Sequence, residues 1–275
     1  MKRSSAFFVI AVMVIALTGC NGSKTGKLNT VSDLKGKVIG MINTSPSIKG
    51  IELMVSNSLG AAPKEVIIFN STSDVVTAVL TEKIDAGLRP KFVTDYYAKR
   101  NSDLKVIAPV KKVEGVIFMA LRSEDQQLRN DLDKAITELQ ENGVLKALEE
   151  QWITNLPIST EPSNTEIAKI NSTKTVYVGV SGDFAPIDYI AANGRPAGFN
   201  VALLSEIGKI LNINIEFVSI ASQARFLALS SKKLDVIFCN LESKDVAFSL
   251  EYRNNNWIST KPYYTYVGGY FLVKK

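Results

Sequence analysis

Apolar positions come in short β-branched runs alternating with stretches spaced three and four apart. That alternation predicts strands separated by helices. Val38–Ile42 reads as a strand, followed by Thr44-Ser45-Pro46-Ser47, a helix start with hydroxyl caps and an early proline. Ile48, Ile51, Val55 and Leu59 keep helical spacing, Val66–Phe69 is a strand and Ser71–Leu80 a helix. A strand beginning at Lys83-Ile84-Asp85-Ala86 ends at Arg89-Pro90, then Phe92–Lys99 reads as helix and Leu104–Ile107 as strand. Gly115–Leu121 is a continuous apolar strand. Ser123 opens a helix with Gln126 as capping-box partner, and Leu145, Leu148 and Trp152 line a shorter one. Thr154–Thr173 has two prolines and little periodicity, so it is expected to be a linker.

The second half repeats the alternation. Val176–Phe217 is a strand, a loop holding Asp183, Phe184 and Pro186, a Gly-rich turn, an amphipathic helix and another strand. The loop stands where a strand ends, the place where open α/β sheets bind ligands. Ala224–Ser230 is a further helix, and Lys233-Leu234-Asp235-Val236 begins a strand ending at Cys239-Asn240. Thr265–Lys275 is a closing strand. The Lys-Ile-Asp-Ala and Lys-Leu-Asp-Val segments each follow strand-helix-strand-helix. Two similar α/β lobes with mostly parallel sheets are therefore expected.

The 275 residues are enough for two modest lobes, and a 46% hydrophobic share supports packed cores. Net charge is +5, falling to +3 without Lys2 and Arg3, too mild to argue for nucleic acid. Lys2 and Arg3 precede the apolar run Ala6–Leu17, too short to span a bilayer but suited to a secretion signal. Histidine is absent and the two cysteines are Cys20 and Cys239, which excludes His-dependent triads and Cys/His zinc sites. No metal or cofactor is expected, nor an enzyme, although carboxylate-only chemistry on the same fold is an alternative.

Several segments resemble the amino-acid-type solute-binding proteins of ABC importers, which have the type II periplasmic-binding fold. They are Asp183–Tyr189, the Gly194–Asn200 turn GRPAGFN, Leu229–Asp235, Lys261-Pro262-Tyr263-Tyr264, and the outgoing hinge strand Phe271–Lys275. The family's second lobe opens with Asp-Leu-Lys-Gly-Lys, which stands here at Asp33–Lys37, before the first-lobe motifs. The order of parts resembles a circular permutant. Division into a signal peptide 1–19, a tether 20–29, lobe two 30–114 and lobe one with hinge strands 115–275 follows from that resemblance.

Leu17-Thr18-Gly19-Cys20 is similar to a bacterial lipobox, implying lipid attachment at Cys20 on the outer face of a membrane. The resemblance implies a monomer that closes two lobes over a small polar ligand and hands it to an ABC permease; a sensor docking a membrane receptor is the alternative. Arg253 falls near the family's carboxylate clamp, with Glu242 in a neighbouring insertion. Thr44, Ser45 and Ser47 would form an anion pocket at a helix start. Phe184 would stack on the ligand, with Asp183 and Asn240 assisting. Family members usually place an ammonium-binding Asp where this chain has Pro90; either Glu242 or Asp183 replaces it or the ligand is not a standard α-amino acid, and Arg89 facing the cleft would favour an anionic ligand.

Overall fold

The computed structural model describes residues 27–42, 48–158, 170, 172–221, 224–241 and 256–275. The first unit is β1 (Val38–Ile42), α1 (Ile48–Leu59), β2 (Glu65–Phe69), α2 (Thr72–Leu80), β3 (Ala86–Arg89), α3 (Lys91–Arg100) and β4 (Leu104–Ile107). The second begins with β5 (Val113–Arg122), α4 (Gln126–Glu141), α5 (Val144–Glu149) and a π-helical turn Glu150–Thr154. It continues with β6 (Thr175–Val180), β7 (Asp183–Phe184), β8 (Asp188–Ile190), β9 (Pro196–Ala197), α6 (Phe199–Leu211) and β10 (Asn214–Ser219). Last come α7 (Arg225–Ser230), β11 (Val236–Leu241), β12 (Trp257–Ser259), β13 (Tyr264–Gly268) and β14 (Tyr270–Lys274).

The two large sheets have matching orders, β2-β1-β3-β14-β4 and β10-β6-β11-β5-β12. In each, three parallel strands meet a fourth strand running antiparallel. That fourth strand always comes from the far side of a lobe boundary. β5 follows β4 and enters the second sheet, and β13 pairs with it antiparallel before β14 returns to the first. Thr265–Lys275, expected as one strand, is therefore two strands in different sheets. Gly269 makes the break at φ +80°, where a Cβ would lie 2.8 Å from the Ser58 hydroxyl. Segment 270–274 falls inside 115–275 yet hydrogen-bonds into the lobe-two sheet.

The repeated Lys-x-Asp segments do the same work in both lobes. Asp85 accepts from Val38 N at 2.9 Å and its own N–H donates back to Val38 O. Asp235 accepts from Tyr177 N at 3.0 Å and donates back to Tyr177 O. Each carboxylate thus pins the start of the neighbouring parallel strand. The turns leading into them match as well: Lys83 and Ile84 donate to Ala78 O, and Lys233 and Leu234 to Ala228 O. Asp235 carries one more bond, to the buried Arg122 guanidinium at 2.9 Å, which also reaches Leu229 O and Leu234 O.

That difference predicts unequal costs. Asp235→Ala strips a carboxylate from a buried cation and leaves a strand N–H unpaired, so it is expected to cost about 2–4 kcal/mol. Asp85→Ala loses the strand bond and a half-exposed 3.9 Å pairing to Lys37, about 1–2 kcal/mol. Urea melts of the two variants decide it, and equal shifts would contradict the argument.

Candidate functional site

The crevice between the lobes is entered by one loop from the second unit. Ser181–Tyr189 leaves β6 and, joined by β9, folds into the small sheet β7-β8-β9, where periodicity predicts a loop. Two supports hold it. Phe199 N and Asn200 N, in the first turn of α6, donate to Pro186 O and Ile187 O at 3.1 and 2.9 Å. Gly198 permits this approach at φ +113°, since a Cβ there would stand 2.5 Å from Ile187 O. Tyr263 donates its hydroxyl to Asn200 Oδ1 at 2.7 Å, deep in the core. Burial pushes that phenol well up, so it stays a donor.

The second support is Asp188, buried under the loop. Its Oδ1 accepts from Ser181 Oγ at 2.6 Å, Ser181 N at 3.0 Å and Gly182 N at 3.1 Å. Burial raises its affinity for a proton, and these bonds together with the Arg225 charge oppose the rise without cancelling it.

Held this way, the loop presents Asp183 and Phe184 to the first unit. Asp183 caps α2 of that unit. Its carboxylate accepts from Thr72 N, from Ser73 N at 3.2 Å and from Ser73 Oγ at 2.7 Å. A carboxylate at a helix N-terminus satisfies orphan N–H donors and meets the positive end of the dipole. Here the cap comes from the other lobe, so it acts as a latch. Tyr97 stands beside it; burial raises its phenol pKa, the Asp183 charge adds, and Ser73 opposes.

Phe184 meets two groups of the first unit. The Arg89 guanidinium lies 5.3 Å from its ring centroid, and the Phe92 ring packs edge-on at 5.5 Å. Arg89 is 2% exposed, which sets a cation in the crevice wall at the end of β3. Phe92 also touches Tyr264 and Tyr266, at 6.0 and 5.3 Å.

Of the residues singled out from sequence, Arg89, Asp183 and Phe184 therefore come together. Asn240 stands opposite Ile117 in the β5–β11 ladder, one strand beyond β6. Thr44, Ser45, Ser47, Glu242 and Arg253 lie outside the described residues, as does Cys20. Thr72, Ser73, Phe92 and Tyr97 complete the contact and were not anticipated. The hydroxyl-rich start Ser71-Thr72-Ser73 was the available signal, but Ser71 explains it locally by capping Asp74 N.

Two inter-sheet crossings, paired lobes and a crevice walled by a polar-aromatic loop frame the comparison with known proteins. Residues 22–161 match the model for the periplasmic substrate-binding protein of phosphonate ABC transporters, and residues 176–275 match bacterial extracellular solute-binding proteins, family 3. The chain belongs to the bacterial extracellular solute-binding proteins. It is 30% identical over 134 residues to the arginine-binding extracellular protein ArtP of Bacillus subtilis, covering 48% of this chain and 50% of ArtP. A probable amino-acid ABC transporter-binding protein of Haemophilus influenzae is 31% identical over 83 residues, 30% of this chain and 32% of that one. This solute-binding protein thus spans about half or less of the curated relatives it matches. Among solved structures it is similar to an ancestral arginine-binding protein bound to arginine, at TM-score 0.45, 13% identity and 88% and 86% coverage. The glutamate-bound GluR0 ligand-binding core from Nostoc punctiforme gives TM-score 0.42 at 12% identity, covering 86% and 84%.

Asp183→Ala removes the latch without touching either core. Expected results are a loss of about 1–2 kcal/mol in stability and a more open particle by small-angle scattering. An unchanged scattering profile would show that the lobes are held elsewhere.

A second expectation concerns pH. Asp188 binds its proton more tightly in the native state than in the unfolded chain. Native protein therefore carries more protons just above the ordinary Asp value of 3.8, and stability declines as pH rises through that window. Asp188→Asn keeps an acceptor for Ser181 and Gly182 but cannot ionise. Urea midpoints should show the variant gaining on the parent as pH climbs from 3.8; parallel curves would refute the assignment.

Proposed function

We propose that this solute-binding protein is lipid-anchored through Cys20 on the extracytoplasmic face of a bacterial membrane. It captures a small carboxylate-bearing solute between its lobes and delivers it, as a monomer, to an ABC importer. The observation that carries the ligand class is Arg89, a buried guanidinium beside Phe184 at the end of β3. The resemblance puts an ammonium-binding Asp one residue further on, where this chain has Pro90. A cation in that wall repels a ligand ammonium and suits a carboxylate, which a planar fork grips with paired, charge-assisted bonds. Arg253, which the resemblance sets near the family's carboxylate clamp, would supply a second such fork. A buried guanidinium in the crevice wall favours a dicarboxylate or an acidic amino acid over the basic solute named for ArtP.

We also infer a permuted chain order. Its support is spatial: Lys275 N donates to Asp103 O at 2.8 Å, and Lys105 Nζ reaches Asn29 Oδ1 at 2.6 Å. Asn29 and Lys275 thus bond to residues two apart, Lys105 in β4 and Asp103 just before it, so the unpermuted order needs only a short join. Permutation is tolerated where ends lie close on the surface.

A thermal-shift screen over acidic, neutral and basic amino acids, dicarboxylates and amines tests the ligand class, because a ligand of the native state raises Tm. Acidic solutes should shift Tm, and Arg89→Ala and Arg253→Ala should each remove the shift. A shift by arginine or an amine alone would overturn it. Chain order is tested by a rewired chain running from Ser172 through Lys275 directly into Asn29 and ending at Ile158. It should melt within about 5 °C of the parent with the same ligand profile, a change worth roughly 1–2 kcal/mol. Failure to fold would count against permutation alone.

A further inference from the structure

A cavity of about 410 Å³ lies along α3, with Phe92 in its wall. Neither Arg89 nor Phe184 lines it. Its far wall is the hinge strand β13, from Tyr264 to Val267, with Pro186 at one end and Ile153, Thr154 and Leu156 at the other. Its size is in the range that holds small molecules. Phe92 divides it from the crevice, packing on Phe184 on one side and on Tyr264 and Tyr266 on the other.

The chemistry of the walls is specific. Helical spacing puts Phe92, Tyr96 and Arg100 on one stripe of α3 and Lys91, Asp95 and Lys99 on the next. Phe92, Tyr96, Tyr264 and Tyr266 supply ring surface from both lobes. Among the lining residues three cations stand against the carboxylate of Asp95, which is already bonded to Lys91; the Glu149 carboxylate acts on Tyr264 from outside the lining. Arg100 is fixed in place, its guanidinium 3.9 Å above the Tyr96 ring and bonded to Pro157 O at 2.5 Å. Aromatic walls with a net positive rim fit a flat ring bearing a negative charge.

We propose that this groove is a second binding site, separate from the crevice, for an aromatic carboxylate. The ring lies between Tyr96 and the β13 tyrosines. The carboxylate points to Lys99 and Arg100 at the open side. Because α3 belongs to one lobe and β13 with Pro186 to the other, the site is assembled only at this lobe angle. Occupancy there is therefore linked to the opening of the crevice.

Benzoate is the probe, with cyclohexanecarboxylate and phenol as controls that remove the aromaticity or the charge. Calorimetry and ligand-detected NMR on the full chain should give saturable benzoate binding, with each control at least fivefold weaker. Lys99→Glu should weaken benzoate at least tenfold and Tyr96→Leu severalfold, while Arg89→Ala, which reaches this site only through the lobe angle, should change it by less than Tyr96→Leu does. Lys99 is exposed, so its variant decides the matter even if Tyr96→Leu fails to fold. Absence of saturable binding overturns the proposal. So does benzoate binding that Arg89→Ala abolishes and Lys99→Glu spares, which would place the anion in the crevice. Loss of the acidic-solute shift in the earlier screen leaves this result untouched, so the two readings fail separately.

Discussion

Two chain crossings govern everything else in this molecule. β4 passes to β5 and β13 passes to β14, and between the crossings β5 and β13 run antiparallel from Val113 to Ile117. Each lobe thereby borrows its fourth strand from a chain segment continuous with the other. Neither sheet reaches its observed order without that exchange, so the lobes are built as a pair and joined by a two-stranded strap. Such a strap resists separation yet yields to bending, because only two strands make the crossing. Gly269 gives the sharp break that lets one strand serve two sheets, and no residue with a Cβ fits there without moving Ser58.

With the strap fixed, the contents of the crevice follow from what each lobe can hold rigid. The Asp183–Phe184 loop has apolar anchors in Ala185 and Ile187, both buried in the core, but its polar end needs more. It is held from beneath as well, by the α6 amides, by the Tyr263–Asn200 bond and by the Asp188 carboxyl. A loop braced at three points can present a carboxylate to the opposite lobe with little further ordering. Asp183 on α2 then closes the front of the crevice, while the Phe92 cluster closes the back. One contact is polar and depends on geometry; the other buries rings and does not. The polar one tightens only at a narrow range of lobe angles, so it is the contact that opening must break first.

Much of this was legible in the residues. The Lys-Ile-Asp-Ala and Lys-Leu-Asp-Val segments read as strand starts, and the coordinates give a reason: each Asp ties the head of the neighbouring strand. Arg89, Asp183 and Phe184 were identifiable because each ends a strand or begins the loop beyond one. What escaped was non-local. Asp183 and Ser73 are 110 residues apart, and no period or cap rule links them. Gln126 was expected to sit inside a helix opened by Ser123; α4 instead starts at Gln126 itself, whose amide reaches back to Ser123 O. The strand from Thr265 to Lys275 looked continuous because an apolar run carries no mark of which sheet receives it. Only the Gly268-Gly269 pair hinted at the change.

The end of β3 shows how one position can reset the chemistry of a shared fold. Strand ends of parallel sheets face the crevice, so whatever side chain stands there enters the ligand's surroundings. Arg89 is buried by the closure of the lobes, and a guanidinium taken from water loses hydration that only nearby rings and acceptors can replace. Phe184 contributes through its ring face at 5.3 Å, a modest attraction of about 1–2 kcal/mol. That is small beside the desolvation of a buried ion, which runs to several kcal/mol. A carboxylate bound in the crevice would add a charge-assisted pairing to the contacts Arg89 already makes. The energy gained by pairing it with Arg89 would then appear as a preference for the closed form. In the proposed reading, closure and ligand charge are therefore one electrostatic problem, and an ammonium in place of the carboxylate would push the lobes apart.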